Sequence, residues 1–199
     1  CLGFIAIVFL PSRKGEGGKL SLGRLVQTLS WQGAAYALVT IGYASILAFG
    51  ALMAASRGEV AHGRIIQCFV VGVIGIRLVA GGLPAAMGAA RAATLCALAQ
   101  ALGLALVAVS PVSAGRWIGA ALAGAAFGLA FPSLALDALS RVRDGERGVA
   151  IGIVSAFFDV GISAAGPVLG VIATSIGYQG VFGFGCVCAV FAAACANAA

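Results

Sequence analysis

Six apolar runs, each at least 18 residues long, follow one another along this chain at 31–55, 65–84, 92–109, 116–139, 148–173 and 179–197. That succession limits the fold more than any other feature. At ~1.5 Å rise per residue, each run is long enough as a helix to cross a ~30 Å hydrocarbon core. Membrane β-strands would need only ~10 residues of alternating polarity, and these runs do not alternate. The expectation is an all-α, polytopic membrane protein with six transmembrane helices. Composition agrees: 62% of residues are hydrophobic and 9% charged, against roughly 25% charged in a soluble domain. So little charge cannot cover a globule in water, so the bilayer is the first partner the chain implies.

The links between the runs are short (SRGEVAHG, AAMGAAR, SPVSAG, SRVRDGERG and TSIGY) and leave no room for a soluble domain. Alternate links differ in charge. Arg13, Lys14, Lys19, Arg24, Arg91, Arg141, Arg143 and Arg147 fall on one side, and Arg57, Arg64 and Arg116 on the other. The excess of basic residues places the first side, and both ends of the segment, in the cytoplasm, as in an inner-membrane protein. Residues 12–24 are rich in glycine and charge and read as a loop, with a short interfacial helix over 20–29. The opening CLGFIAIVFLP has about half the apolar length of a span. It reads as the end of a truncated helix. The expected organisation is thus 1–10 as that helix end, 11–30 as a cytoplasmic loop and 31–199 as the six-helix unit, with the chain a fragment.

Several function classes fall away. The net charge of +6 resides in membrane-flanking links, without an aromatic-interleaved basic patch, so no nucleic-acid partner is expected. The six cysteines lie in apolar runs without a CxxC pair, and His62 is the one histidine. They read as small buried hydrophobes, with no metal and no cofactor. A membrane-embedded enzyme would need clustered titratable groups. Here His62 lies on the opposite side from Asp137 and Asp144, and Ser155 and Ser163 have no base near them in sequence.

Charges inside the apolar runs are costly and therefore informative. Arg77 lies ~10 Å deep in the second run and Asp159 ~17 Å deep in the fifth, close to the midplane. An ionised group at such depth costs at least ~2.5–3.5 kcal/mol unless it meets water or a counter-charge. Loss of hydration disfavours the charged carboxylate, which equips Asp159 to bind and release a proton. Arginine has no such escape. Arg77 therefore needs a partner, for which Asp159 and Asp137 are the candidates. The plainer reading of these charges is a fixed ion pair or hydrogen bond that orders helices. Asp137, near the cytoplasmic end of the fourth run, can snorkel to water.

Pro132 and Pro167 each remove a backbone hydrogen bond within a run and should kink it, freeing a carbonyl to line a cavity or act as a bending point. Gln32, Gln67 and Gln100 add polar groups. Tyr36, Tyr43 and Phe127 are candidates to touch a small organic ligand, or simply pack. Gly119, Gly124 and Gly128 let helix backbones approach closely, whether as static packing or as a sliding surface.

In this order of features the chain resembles the C-terminal half of a major facilitator superfamily transporter, with 12–30 as the central loop and the six runs as spans seven to twelve. RLVAGGLPAAMGAAR (77–91) is similar to the superfamily signature G-x-L-x-D-R-x-G-x-x-R, with Gly82, Leu83, Gly88 and Arg91 carrying the likeness. Ala85 and Ala86 stand where the signature has its acidic and basic residues, so the acidic clamp on the cytoplasmic gate is absent. The stretch 130–167 resembles sugar- and drug-efflux branches, especially arabinose-efflux-like permeases. Gly161, Gly166, Pro167 and Gly170 resemble the glycine–proline pattern of exporters. The resemblance implies a twelve-span carrier whose two halves rock about a central site. The first and fourth runs would line the cavity, the second and fifth would face the other half, and the third and sixth would be peripheral.

The function this implies is secondary transport, as proton-coupled efflux of a small organic solute, sugar or drug-like, by an antiporter. Asp159 would carry the proton or contact substrate, with Arg77 as counter-charge and Asp137, Tyr36, Tyr43 and Phe127 along the pathway. Gly82, Gly88, Arg91, Pro132, Gly161, Gly166, Pro167 and Gly170 would serve gating or hinge motion. The partners are a small-molecule substrate, the bilayer and a missing N-terminal six-helix half. No link resembles a Walker loop, which argues against ATP-driven transport. The alternative is a non-transporting membrane scaffold or sensor, or a defunct transporter half.

Overall fold

A computed structural model describes residues 22–198. The expected helix end at 1–10, and 11–21 of the expected loop, lie outside the described residues. Helix α1 (Leu22–Thr28) leads into α2 (Ser30–Ser56), followed by α3 (Arg64–Ala80), the short α4 (Leu83–Met87), α5 (Ala89–Val109) and α6 (Ser113–Ser140). A 3-10 turn (Asp144–Glu146) then opens α7 (Arg147–Ala198). No strand occurs among the described residues.

Among the described residues, four helical stretches are long and apolar enough to cross a membrane: Ser30–Ser56, Ala89–Val109, Ser113–Ser140 and Asp144–Ala198. One of the six expected runs looks different here. The second ends at Ala80, giving a 17-residue α3 that spans ~25 Å, and its last residues turn into α4. The fifth and sixth both lie within α7 and are divided by a kink at Gly177, inside the expected link TSIGY. Thr174 and Ser175 donate their hydroxyls to the Val171 carbonyl (2.9 and 2.8 Å), so these polar residues are satisfied within the helix. The one non-helical residue inside α7 is Gly177, at φ 78° and ψ 179°. That backbone region is open to glycine and closed to residues with a Cβ.

Packing sorts the helices into an inner set and two flanks. α2 lies along both arms of α7, and α5 packs between α6 and the second arm. Ala93, Cys96 and Ala97 of α5 share a buried cluster with Ala192, Ala193 and Ala196 of α7. α3 packs on α6, where Gly124 and Gly128 face it. A Cβ on Gly124 would strike the Phe69 carbonyl, and one on Gly128 would come within 3.0 Å of the Val73 carbonyl. The missing side chains let the two backbones touch, which is how helices gain dispersion energy in lipid. Leu95, Leu98 and Leu102 of α5, with Val187, Val190 and Phe191 of α7, are exposed on the periphery. An apolar outer surface of this extent suits a lipid solvent.

Candidate functional site

Two tyrosines on α2 organise the interior. Tyr36 and Tyr43 are seven residues apart, so two helical turns bring both to one face. Phe127 and Phe131, four apart on α6, meet them. The Tyr43 and Phe127 rings stack at 4.5 Å with 12° between planes, and Tyr36 and Phe131 lie 5.4 Å apart. Phe69 of α3 adds contacts to Tyr43 and Phe127 at 5.8 and 6.1 Å. Phe158 of α7 reaches Tyr36 at 5.4 Å and Tyr43 at 6.2 Å. Four helices thus converge on one aromatic cluster. Such ring pairs contribute about 0.5–1.5 kcal/mol each beyond area burial, and their faces also suit an organic solute.

Charge lies beside the rings. Arg77, exposed on α3, donates from Nε to the Gly128 carbonyl at 3.1 Å. Gly128 stands four residues before Pro132, so proline's missing N–H leaves this carbonyl without its helical donor. Arginine supplies the donor instead. The expected partners of Arg77 were Asp159 and Asp137, yet neither forms an ion pair with it among the described residues. The freed carbonyl was expected from Pro132, but only carboxylates were considered as partners for Arg77.

Asp159 is exposed and directly follows Phe158, whose ring contacts the two tyrosines. Gly152, Ala156, Asp159, Ser163 and Gly166 recur at spacings of three and four along α7, and all are exposed. One face of the first arm is therefore small, polar and unpacked within this chain. Pro167 frees the Ser163 carbonyl, one turn beyond Asp159, by the same logic as Pro132.

Asp137 departs from the expectation of a snorkelling side chain. It is 7% exposed, accepts from Gln32 Nε2 at 2.8 Å and pairs with Arg141 Nε at 3.2 Å. It ties the start of α2 to the end of α6, away from Arg77. Of the gating candidates, Gly82 caps the start of α4, and Gly88 takes φ 93° where α5 begins, with Arg91 exposed one turn on. Gly161 is buried at the α2–α7 contact, where a Cβ would come within 2.7 Å of the Ala37 carbonyl. Gly166 and Gly170 have open space beside them, and Pro167 is exposed.

Sequence reasoning missed the Arg116–Glu59 pair and three of the aromatic residues at the site. Arg116, counted only as a link charge, is 2% exposed and donates from both Nε and Nη2 to one oxygen of Glu59, Oε1. It also donates to the Ser110 carbonyl at 2.8 Å. Opposite charges in two links on the same side were the available signal. Gln100 is fully buried and donates to the Val39 carbonyl at 2.9 Å. Phe69, Phe131 and Phe158 gave no signal, since isolated aromatics in apolar runs look alike. A separate apolar cavity of about 230 Å³, lined by Leu83, Pro84, Met87, Leu95 and Leu129 among others, touches none of the aromatic or charged site residues.

Fold and site together define a polytopic helical membrane protein with an aromatic core beside two exposed intramembrane charges. The chain belongs to the major facilitator superfamily. It is 35% identical over 167 residues to an uncharacterized MFS-type transporter of Salmonella typhimurium, covering 83% of this chain and 43% of the relative. Similar proteins with the same description occur in Pseudomonas aeruginosa (32% identical, 93% of this chain, 46% of the relative) and Burkholderia mallei (30%, 96% and 46%). The chain thus spans less than half the length of the curated relatives it matches. No family model matches it.

Proposed function

We propose that this chain is the C-terminal six-span half of a secondary transporter that exports a small organic solute, sugar or drug-like, in exchange for protons. In this reading α3 and α4 together complete the second span, and Gly177 divides α7 into the fifth and sixth. The basic 81–91 and 140–147 turns face the cytoplasm of the inner membrane. The relatives' remaining length supplies the other half.

The observation that carries this reading is the aromatic cluster flanked by Arg77 and Asp159, both exposed in this half. Rings from α2 and α6 would hold the apolar body of a solute. Arg77 would meet an anionic or polar group. Asp159 would take a proton from one side and release it to the other, its neutral form being the one able to cross an apolar closed state. Asp137, held by Gln32 and Arg141, would fix the end of the pathway. Gly82, Gly88, Arg91, Pro132, Gly161, Gly166, Pro167 and Gly170 would permit the motion that alternates access.

The test is flux in proteoliposomes carrying the full-length protein, driven by an imposed pH gradient and screened against a panel of sugars and cationic dyes. The expected result is gradient-driven movement of at least one solute, lost in Asp159→Asn while solute exchange without a gradient persists. A wild-type protein that moves no solute, or an Asp159→Asn variant that follows the gradient unchanged, would overturn the reading.

A further inference from the structure

We propose that the arginine-rich end of the bundle holds a binding site for the headgroup of an anionic phospholipid. A polar cavity of about 400 Å³ opens between α1 and the turn after α6, lined by Arg24, Thr28, Ser140, Arg141, Arg143 and Glu146 among others. Three guanidinium groups face one carboxylate there. Arg24 Nη2 pairs with Glu146 at 3.0 Å, and Arg141 Nε with Asp137 at 3.2 Å. The nearby Asp144 is taken up by Arg147 at 2.8 Å. Each guanidinium carries five N–H donors, so donors remain after these pairs are made. The hydroxyls of Thr28 and Ser140 donate to the Arg24 and Asp137 carbonyls, at 2.8 and 2.7 Å. The spare donors are therefore the arginines', and they call for anionic oxygens in the geometry a phosphate provides.

The neighbourhood selects a lipid phosphate over a soluble one. α1 buries Leu25 against the bundle but exposes Leu22 and Val26, one turn apart, at 60% and 43%, with Trp31 at 51% just beyond. A free anion gains nothing from these residues, whereas an acyl chain would cover them. The site lies where α2 begins and α6 ends, both long apolar helices, which is headgroup level. Tryptophan is enriched at that level, and arginines there attract anionic lipid. The inference is independent of solute transport.

Native mass spectrometry of the full-length protein in mild detergent tests it, with dioleoyl phosphatidylglycerol, dioleoyl phosphatidylethanolamine and inorganic phosphate as separate arms. Phosphatidylglycerol should be retained in preference to phosphatidylethanolamine and resist millimolar phosphate. Arg143→Gln should lower its occupancy roughly five-fold, and Arg24→Gln by a similar factor. Arg57→Gln, on a different link, should leave it unchanged. Glu146→Gln separates a binding role from a structural one: it frees Arg24 and should raise phosphatidylglycerol retention, whereas lowered retention would mean that the ion pair merely holds the turn together, against the proposal. Equal retention of the two lipids, an unaffected Arg143→Gln variant, or displacement by inorganic phosphate would each overturn the lipid site.

Discussion

Arg77 Nε donates to the Gly128 carbonyl across 3.1 Å, and Gly128 is the residue whose carbonyl Pro132 leaves without a helical donor. One proline thus creates the acceptor that a membrane-embedded arginine requires. Glycine at position 128 keeps α3 close enough for the guanidinium to reach it. The bond fixes Arg77 beside the Tyr43–Phe127 stack without using a carboxylate. Asp159 is left without an ion-pair partner among the described residues.

A double-mutant cycle tests that relationship. Arg77→Met strands the carbonyl in an apolar setting and should cost about 1–3 kcal/mol in a denaturant titration of the full-length protein in detergent. In a Pro132→Ala background the restored N–H should satisfy the carbonyl, and the same Arg77→Met change should cost about 1 kcal/mol less. Equal costs in the two backgrounds would mean that the carbonyl is not what holds Arg77.

The buried Arg116–Glu59 pair links the start of α6 to the turn after α2. Removing one partner leaves a buried charge uncompensated, so Arg116→Met should destabilise by about 3–5 kcal/mol in the same titration. Arg116→Met combined with Glu59→Leu should recover part of that loss. Because both residues stand apart from the aromatic cluster, folded variants should keep solute preference unchanged.

Gln32 donates to Asp137 at 2.8 Å between α2 and α6. Gln32→Leu should cost about 1–3 kcal/mol, since the acceptor on Asp137 is charged and buried. Asp137→Leu should cost more than Asp137→Asn, which can still accept from Gln32. The order of thermal midpoints among the three variants reads this out, and an Asp137→Leu variant as stable as Asp137→Asn would contradict the assignment.

Gly161 packs against the Ala37 carbonyl, whereas Gly166 and Gly170 face open space. Gly161→Val should therefore destabilise this half itself, by about 1–3 kcal/mol for an overpacked contact. Gly166→Val should leave this half's stability within about 0.5 kcal/mol and act instead on transport. Circular-dichroism melts set beside flux assays separate the two effects.

The helical membrane character was legible because apolar length and short links leave few alternatives. The division of the last two runs falls inside the expected link TSIGY, though the residue that makes it was not singled out. The link TSIGY contains residues that a helix accommodates once Thr174 and Ser175 bond their own backbone, and only Gly177 breaks the ladder. At the site, the tyrosines and Phe127 could be named from sequence, but their partners could not. Phe69, Phe131 and Phe158 join them through contacts between helices that no local spacing encodes. The partners of Arg77 and Arg116 show the same limit. One is a backbone carbonyl whose availability depends on a proline 55 positions away, and the other is a glutamate 57 positions back.

The central claim is that water reaches Asp159 from both sides of the membrane in turn. A single cysteine at that position, Asp159→Cys in a background whose native cysteines are replaced, reports this directly in oriented vesicles. Membrane-impermeant thiol reagents should label it from the cytoplasmic and from the outer face, and added solute or an imposed pH gradient should shift the balance between the two. A cysteine that reacts only with lipid-soluble reagents, and with neither impermeant probe, would contradict the account.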